Sequence, residues 1–222
     1  MKTLKTLLYS IALAGTLAVP MVSNAAMIAY ICDDFSCTGA NDTIVADNGV
    51  GDASATAGLI IASTSAYGYT VLVNTSQSKP LIGSAAAPEL DITYSVTGNA
   101  GTGVTGSVFL WLFDDGFTGP GGSFTLANGG TTSGGETISA RAYLAPAQQF
   151  LSLSGFGSTT GPLATLSSPY GLYLLVEVNR ANAGRGTTTG DANLKVPEPS
   201  TVLLGGVALL ALGMASRRRR NG

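Results

Sequence analysis

Histidine is absent from all 222 residues, and this absence removes more chemistry than any other feature of the chain. Imidazole is the usual side chain that trades a proton near neutral pH, so Ser–His–Asp and Cys–His machinery is excluded. Two cysteines, Cys32 and Cys37, are too few to complete a four-ligand zinc site without histidine. Charge is thin, at 11% of residues, and tryptophan occurs once, as Trp111. Helical periodicity is almost missing from the middle of the chain. The glycine-rich pieces "GFGSTTG" and "GSFTLANGG" are not followed by the Lys-Ser/Thr of a phosphate cradle, and read as loops. No cofactor motif is present.

What charge there is lies unevenly. The N-terminus places Lys2 and Lys5 before an apolar run at residues 7–19, followed by Ser23, Asn24 and Ala25. This is the order of a signal peptide, with cleavage expected after Ala25 and Ala26 as the nearby alternative. Residues 26–196 then form one domain, long enough to bury a core and too short for two. They carry five basic and twelve acidic side chains, so this segment stands at −7 while the whole chain stands at −2. An acidic body repels phosphate backbones, which argues against nucleic acid as a partner.

Within residues 26–196 the signals are those of strands and turns. "DITYSVT" alternates, with Ile92, Tyr94 and Val96 on one side and Asp91, Thr93, Ser95 and Thr97 on the other. "YGYTVLV" aligns Tyr67, Tyr69, Val71 and Val73, and "ETISARAYLA" aligns Ile138, Ala140, Ala142 and Leu144. Alternation of this kind suits a half-buried antiparallel strand. "SVFLWLF", residues 107–113, is apolar on both faces and is predicted to run through the middle of a sheet. "GLYLLVEV" is another strong strand; "AGLIIAS", "SFTLA", "QFLSLSG" and "DANLKV" are weaker ones. Clusters such as "ADNGVGD", "DDGFTGPGG", "ANGGTTSGG", "GSTTGP" and "NRANAGRGTTTGD" read as turns. About nine short strands predict an all-β fold, an antiparallel β-sandwich, jelly-roll-like or Ig-like.

Four groups carry what chemistry remains. Cys32 and Cys37, in "ICDDFSC", suit a local disulfide in an exported chain, with half of a metal site as the competing reading. Asp114, Asp115 and Glu177 are the carboxylates from which a glycosidase pair would be drawn, although "FDDGFTGPGG" reads more naturally as a turn. Asp33, Asp34, Asp42, Asp47, Asn48 and Asp52 gather hard oxygen donors beside glycines. Asp47, Asn48 and Asp52 are the calcium candidates among them, but the spacing is not that of an EF-hand and a solvated loop is favoured. Trp111 is expected in the core, while Tyr67, Tyr69, Tyr170 and Tyr173 are candidate sugar contacts.

The chain closes with "VPEPSTVLLGGVALLALGMASRRRR". Pro197 and Pro199 break any helix at the boundary. The uncharged run at residues 201–215 spans about 22 Å as a helix, short against a hydrocarbon core of about 30 Å. Arg217, Arg218, Arg219 and Arg220 stay cytoplasmic by the positive-inside rule. Together with the signal peptide these features predict a body outside, a transmembrane helix, and arginines inside. The fixed order of Pro197, Glu198 and Pro199, a short span and an arginine cluster closely resembles the PEP-CTERM sorting signal of Gram-negative bacteria, here residues 197–222. The resemblance implies that the tripeptide is read by exosortase, a membrane-embedded protease, after signal peptidase has acted at the other end. It also implies transient anchoring in the inner membrane, then delivery to the cell surface or an extracellular, exopolysaccharide (biofilm) matrix. "ICDDFSCTGANDTIVADNGVGD" and the segments after it also look like the start of a recurrent body among such proteins, and lend no active site. The reading of the body is a non-enzymatic structural protein, with a carbohydrate-binding β-sandwich, calcium-assisted or not, as the alternative and a carboxylate-pair glycosidase as the weaker one.

Overall fold

The structure is a computed structural model that describes residues 27–66, 68–99, 106–119, 122–145, 148–163, 166–180 and 186–196. The signal segment, the Pro-Glu-Pro tripeptide, the apolar run and the arginine cluster lie outside these residues. Among the described residues no helix is long and apolar enough to cross a membrane.

The described residues form twelve strands: β1 (Ile28–Cys32), β2 (Thr43–Ala46), β3 (Leu59–Ala66), β4 (Tyr69–Gln77), β5 (Glu89–Gly98), β6 (Gly106–Phe117), β7 (Gly122–Thr132), β8 (Glu136–Leu144), β9 (Gln148–Ser154), β10 (Gly157–Leu163), β11 (Tyr170–Arg180) and β12 (Thr187–Lys195). They form two six-stranded sheets, ordered β2-β1-β6-β11-β8-β9 and β10-β7-β12-β5-β4-β3. Every pairing is antiparallel. The fold is therefore an all-β, two-sheet antiparallel sandwich. The chain changes sheet at β2–β3, at each step from β5 to β8, and at each step from β9 to β12.

Period-two alternation fills the core. Ile92, Tyr94 and Val96 of β5, Tyr69, Val71 and Val73 of β4, and Ile138, Ala140 and Ala142 of β8 all point inward and are buried. Leu110, Leu112, Leu174 and Val176, from the same sheet as β8, join them in the core opposite β4 and β5. Four turn readings are corrected: "ANGGTT" is the second half of β7 and "TTTGD" the first half of β12, paired with each other from Asn128–Ala192 to Thr132–Thr188. "GSTTGP" is strand β10, because its backbone pairs along β7 from Gly157–Asn128 to Leu163–Gly122. "DDGF" extends β6 to Phe117, because Asp114 is held inside the sandwich and does not turn into solvent.

Asp114 is fully buried. It accepts hydrogen bonds from Ser78 Oγ at 2.5 Å and from Lys79 Nζ at 2.9 and 3.0 Å. Lys79 Nζ also donates to the Asp115 carbonyl and lies 4.3 Å from the Phe117 ring centroid. Burial pushes the Asp114 carboxyl up, while Ser78, the Lys79 ammonium and the Asp115 amide pull it down. Near the far end of β11, Arg180 Nη2 binds Glu136 Oε1 at 2.7 Å and the Gly186 carbonyl at 2.8 Å. A Cβ at Gly98 would overlap the Arg180 guanidinium and one at Gly186 the Glu136 carboxylate, so both positions require glycine.

Removing one partner of a buried pair strands the other charge. Lys79→Met is expected to lower unfolding free energy by about 3–5 kcal/mol, and Lys79→Met with Asp114→Leu by much less, in urea titrations of the two variants.

Candidate functional site

The side of β6 that faces away from the core is the unusual surface. Register places its residues in rows across the first sheet. Tyr30 stands opposite Trp111, Trp111 opposite Leu175, and Leu175 opposite Arg141. On one side of this row Phe113, Tyr173 and Tyr143 stand in line, and on the other come Cys32, Phe109, Glu177 and Ser139. Thus β1, β6, β11 and β8 each contribute apolar or aromatic residues to an outer face that normally meets water. Cys32, Phe109, Tyr143 and Leu175 are buried there in a cluster separate from the main core.

The cover is the segment between β1 and β2. Asp34 Oδ1 accepts from the Ser36 amide at 2.7 Å, the Ser36 hydroxyl at 2.6 Å and the Cys37 amide at 2.8 Å. The Ser36 hydroxyl leads in holding Asp34 below the ordinary carboxylate range. Cys37, at φ 50°, closes a disulfide to Cys32 with the Cα atoms 5.3 Å apart. The turn lays Phe35 over the sheet, its ring centroid 5.1 Å from Trp111 and 6.1 Å from both Phe109 and Tyr143. Phe35 itself stays 47% exposed.

Beneath this cover lies a cavity of about 360 Å³ lined by Tyr30, Phe35, Ser36, Cys37, Trp111, Tyr143 and Tyr173. Trp111 sits 5.3 Å from Tyr143 and 5.8 Å from Tyr173 between centroids. The lining has no charged residue. Burial first, and the neighbouring Tyr173 second, push the Tyr30 hydroxyl up, so it stays protonated. A polar cluster adjoins the aromatic rows: Glu177 accepts from Arg141 at 2.8 Å and Ser107 at 2.8 Å, and Asn179 donates to Ser107 at 2.8 Å.

Trp111 is therefore not in the sandwich core, as expected from its doubly apolar strand, but on the outer face against the cavity. The reason is the strand's own alternation, which sends Leu110 and Leu112 inward and Trp111 outward. Of the candidate tyrosines, Tyr173 lines the cavity. Tyr69 is buried and donates to the Gly106 carbonyl, Tyr170 packs by Phe117, and Tyr67 lies outside the described residues. Phe35, Tyr30 and Tyr143 were missed. A signal existed for Tyr143, on the face of "ETISARAYLA" opposite Ile138 and Ala140, whereas nothing local marks Phe35 as a lid.

The glycosidase pair is not assembled. Asp114 stands opposite Leu172 and Phe109 opposite Glu177, so the two acids are five residues apart along the sheet, about 17 Å, and on opposite faces. A carboxylate pair works at about 5–9.5 Å. Asp115 is one residue further, and Glu177 is engaged by Arg141. The calcium candidates are likewise spent on the loop. Asp47 Oδ2 accepts from the Gly58 amide, Asp47 Oδ1 from Asn48 Nδ2, and Asp52 from the amides of Asn48, Ser54 and Ile61. Among the described residues no group of three or more acidic or sulfur ligands is placed to hold a metal ion.

The outer face of the second sheet has a different character. Hydroxyl pairs Thr97–Thr187, Thr125–Thr160 and Thr131–Thr189 bridge its strands at 3.1–3.2 Å. Beside them burial first, and the Asp191 carboxylate second, push Asp91 up to about 6.

The molecule is thus a two-sheet β-sandwich with an aromatic cavity on one outer face and a hydroxyl-rich opposite face. Residues 195–220 match the PEP-CTERM protein-sorting motif, so the chain carries that sorting signal directly after β12. The motif implies exosortase handling and export to the cell envelope or surface. No curated relative matches the chain. Among solved structures, a CBM4 protein is similar at 16% identity over 44% of this chain and 78% of its own, with a TM-score of 0.29. TmCBM61, in complex with β-1,4-galactotriose, is similar at 13% identity over 65% of this chain and 90% of its own, at 0.31. A protein of infectious bursal disease virus is similar at 15% identity over 79% of this chain and 51% of its own, at 0.27. At these scores the likenesses bear no functional argument.

Two outcomes follow from these surfaces. Replacing both cysteines by serine is expected to cost about 2 kcal/mol, the closure entropy of so short a loop, and to shift Trp111 emission to the red as Phe35 lifts; denaturation followed by fluorescence reads both. A raised carboxyl pKa favours the protonated fold, so the contribution of Asp91 is present below about pH 4 and is lost as pH rises through about 6. Asp91→Asn is therefore expected to gain about 1 kcal/mol at pH 7, after screening on a partly open face, and nothing at pH 4, in paired melting curves.

Proposed function

We propose that residues 26–196 are a non-enzymatic protein of the cell surface or extracellular matrix, exported by a signal peptide and freed from residues 197–222 by exosortase. The observation that carries this reading is the PEP-CTERM motif at residues 195–220, placed where the fold has just finished. Lys195 ends β12, and the Val196 amide makes a last backbone bond to the Pro88 carbonyl at 3.0 Å. Cleavage beyond that point leaves all twelve strands intact. The histidine-free composition and the separated carboxylates support a non-catalytic role.

A second reading, saccharide binding by the body, is favoured by one observation, the uncharged aromatic cavity under the disulfide-pinned turn. It is compatible with the first, since a matrix protein works among polysaccharides.

Surface fractions from cells with and without the sorting protease distinguish sorting from plain anchoring. With the protease, mass spectrometry is expected to find a mature C-terminus lacking Arg217, Arg218, Arg219 and Arg220. Replacing Pro197, Glu198 and Pro199 together by alanine is expected to hold the chain in the membrane fraction. An intact Arg220 on surface protein defeats the reading.

A further inference from the structure

The geometry points to the Trp111 cavity as a binding site for a sugar ring of a neutral saccharide, seated against Trp111 and Tyr143 beneath Phe35 and fixed by tyrosyl hydroxyls. This inference rests on the saccharide-binding reading and gives it an address.

The lining selects the ligand class. Its volume of about 360 Å³ falls within the range of small-ligand sites, about 300–1,000 Å³. Sites of that kind combine aromatic walls with a few polar groups, and a sugar ring matches both, with C–H faces for the rings and hydroxyls for the phenols. Tyr30, Tyr143 and Tyr173 line the cavity and carry three such hydroxyls, which no described residue engages in a hydrogen bond. Phosphate-bearing ligands are disfavoured because no lysine or arginine lines the cavity and the body is acidic. A purely apolar ligand would leave those phenols facing it unpaired.

A second observation indicates that the cluster is not optimised for folding alone. The Trp111 indole N–H is buried without an acceptor. A buried unmet donor costs stability, and phenylalanine at this position would avoid that cost. The rings are also imperfectly covered, for Phe35, the lid residue, is itself 47% exposed.

The sole tryptophan makes the test direct, since all indole emission comes from the cavity. The full chain, in a non-glycosidic detergent, is titrated with cellotetraose, laminaritetraose, galactotetraose and mannotetraose, with octanol and adenosine monophosphate as controls. At least one saccharide is expected to change Trp111 emission saturably. Tyr143→Ala is expected to weaken that ligand by more than about ten-fold, as for an aromatic anchor, and to lower the unfolding midpoint because the ring is buried. If Tyr143→Ala does not fold, Tyr143→Phe with Tyr173→Phe keeps the ring packing and is expected to weaken binding by about three-fold or more. A saccharide retained on the chain without a change in Trp111 emission, or unaffected by these variants, overturns the site and leaves saccharide binding standing. A response to octanol or the nucleotide alone overturns both, as does no response to any probe.

Discussion

The structure depends on a strand that must be buried twice. Residues 108–113 of β6 are apolar at every position, so no orientation of the strand leaves one face for water. Its inner face is met by the opposite sheet in the ordinary way of sandwiches. The outer face has no second sheet to meet it. A short turn pinned by the Cys32–Cys37 disulfide provides the cover, and only part of it. Burying an aromatic side chain contributes about 1.5–3 kcal/mol, so leaving Phe109, Trp111 and Phe113 open would be costly. The turn resolves most of that cost at Phe109 and leaves a cavity beside Trp111.

Charge is organised around the same sandwich. Of the basic side chains among the described residues, Lys79 and Arg180 are buried in ion pairs and Arg141 is bonded to Glu177. The Lys79 pair joins the segment after β4 to β6 in the other sheet, and Arg180 reaches from β11 to the Gly186 carbonyl beside β12. These ties fix how the two sheets meet at their ends, a specificity role that buried pairs can serve even where their net stabilisation is small. With Lys79 and Arg180 spent inside and Arg141 paired to Glu177, Lys195 at the end of β12 is the exposed base among the described residues, and carboxylates, amides and hydroxyls make up most of the polar surface. An uncharged ligand meets no repulsion from such a surface, and an anionic polymer does.

Most of the sandwich was legible in the sequence because period-two alternation is a local signal. Ile92, Tyr94 and Val96 could be placed inside from seven residues alone. Strands built from glycine, serine and threonine were harder: "GSTTGP" has no apolar face of its own and becomes β10 only because β7 offers it a ladder. The cavity was not legible for a different reason. Its walls come from β1, β6, β8, β11 and a turn, residues 30 to 173, and their convergence is set by strand order and register, which no local pattern encodes. Asp114 shows the same limit, since its partner Lys79 lies 35 positions away. The sorting tail was legible because it is read in linear order by another protein and needs no fold to have meaning.

The end of the body's last strand and the cavity lie on different sheets. The chain leaves the body from β12, which lies inside the second sheet between β7 and β5, whereas the cavity opens on the outer face of the first. A body tethered through its C-terminal end is held from the end of β12, a strand of the sheet that does not carry the cavity. The point where the chain leaves the body and the outer face of β6 therefore lie on different sheets.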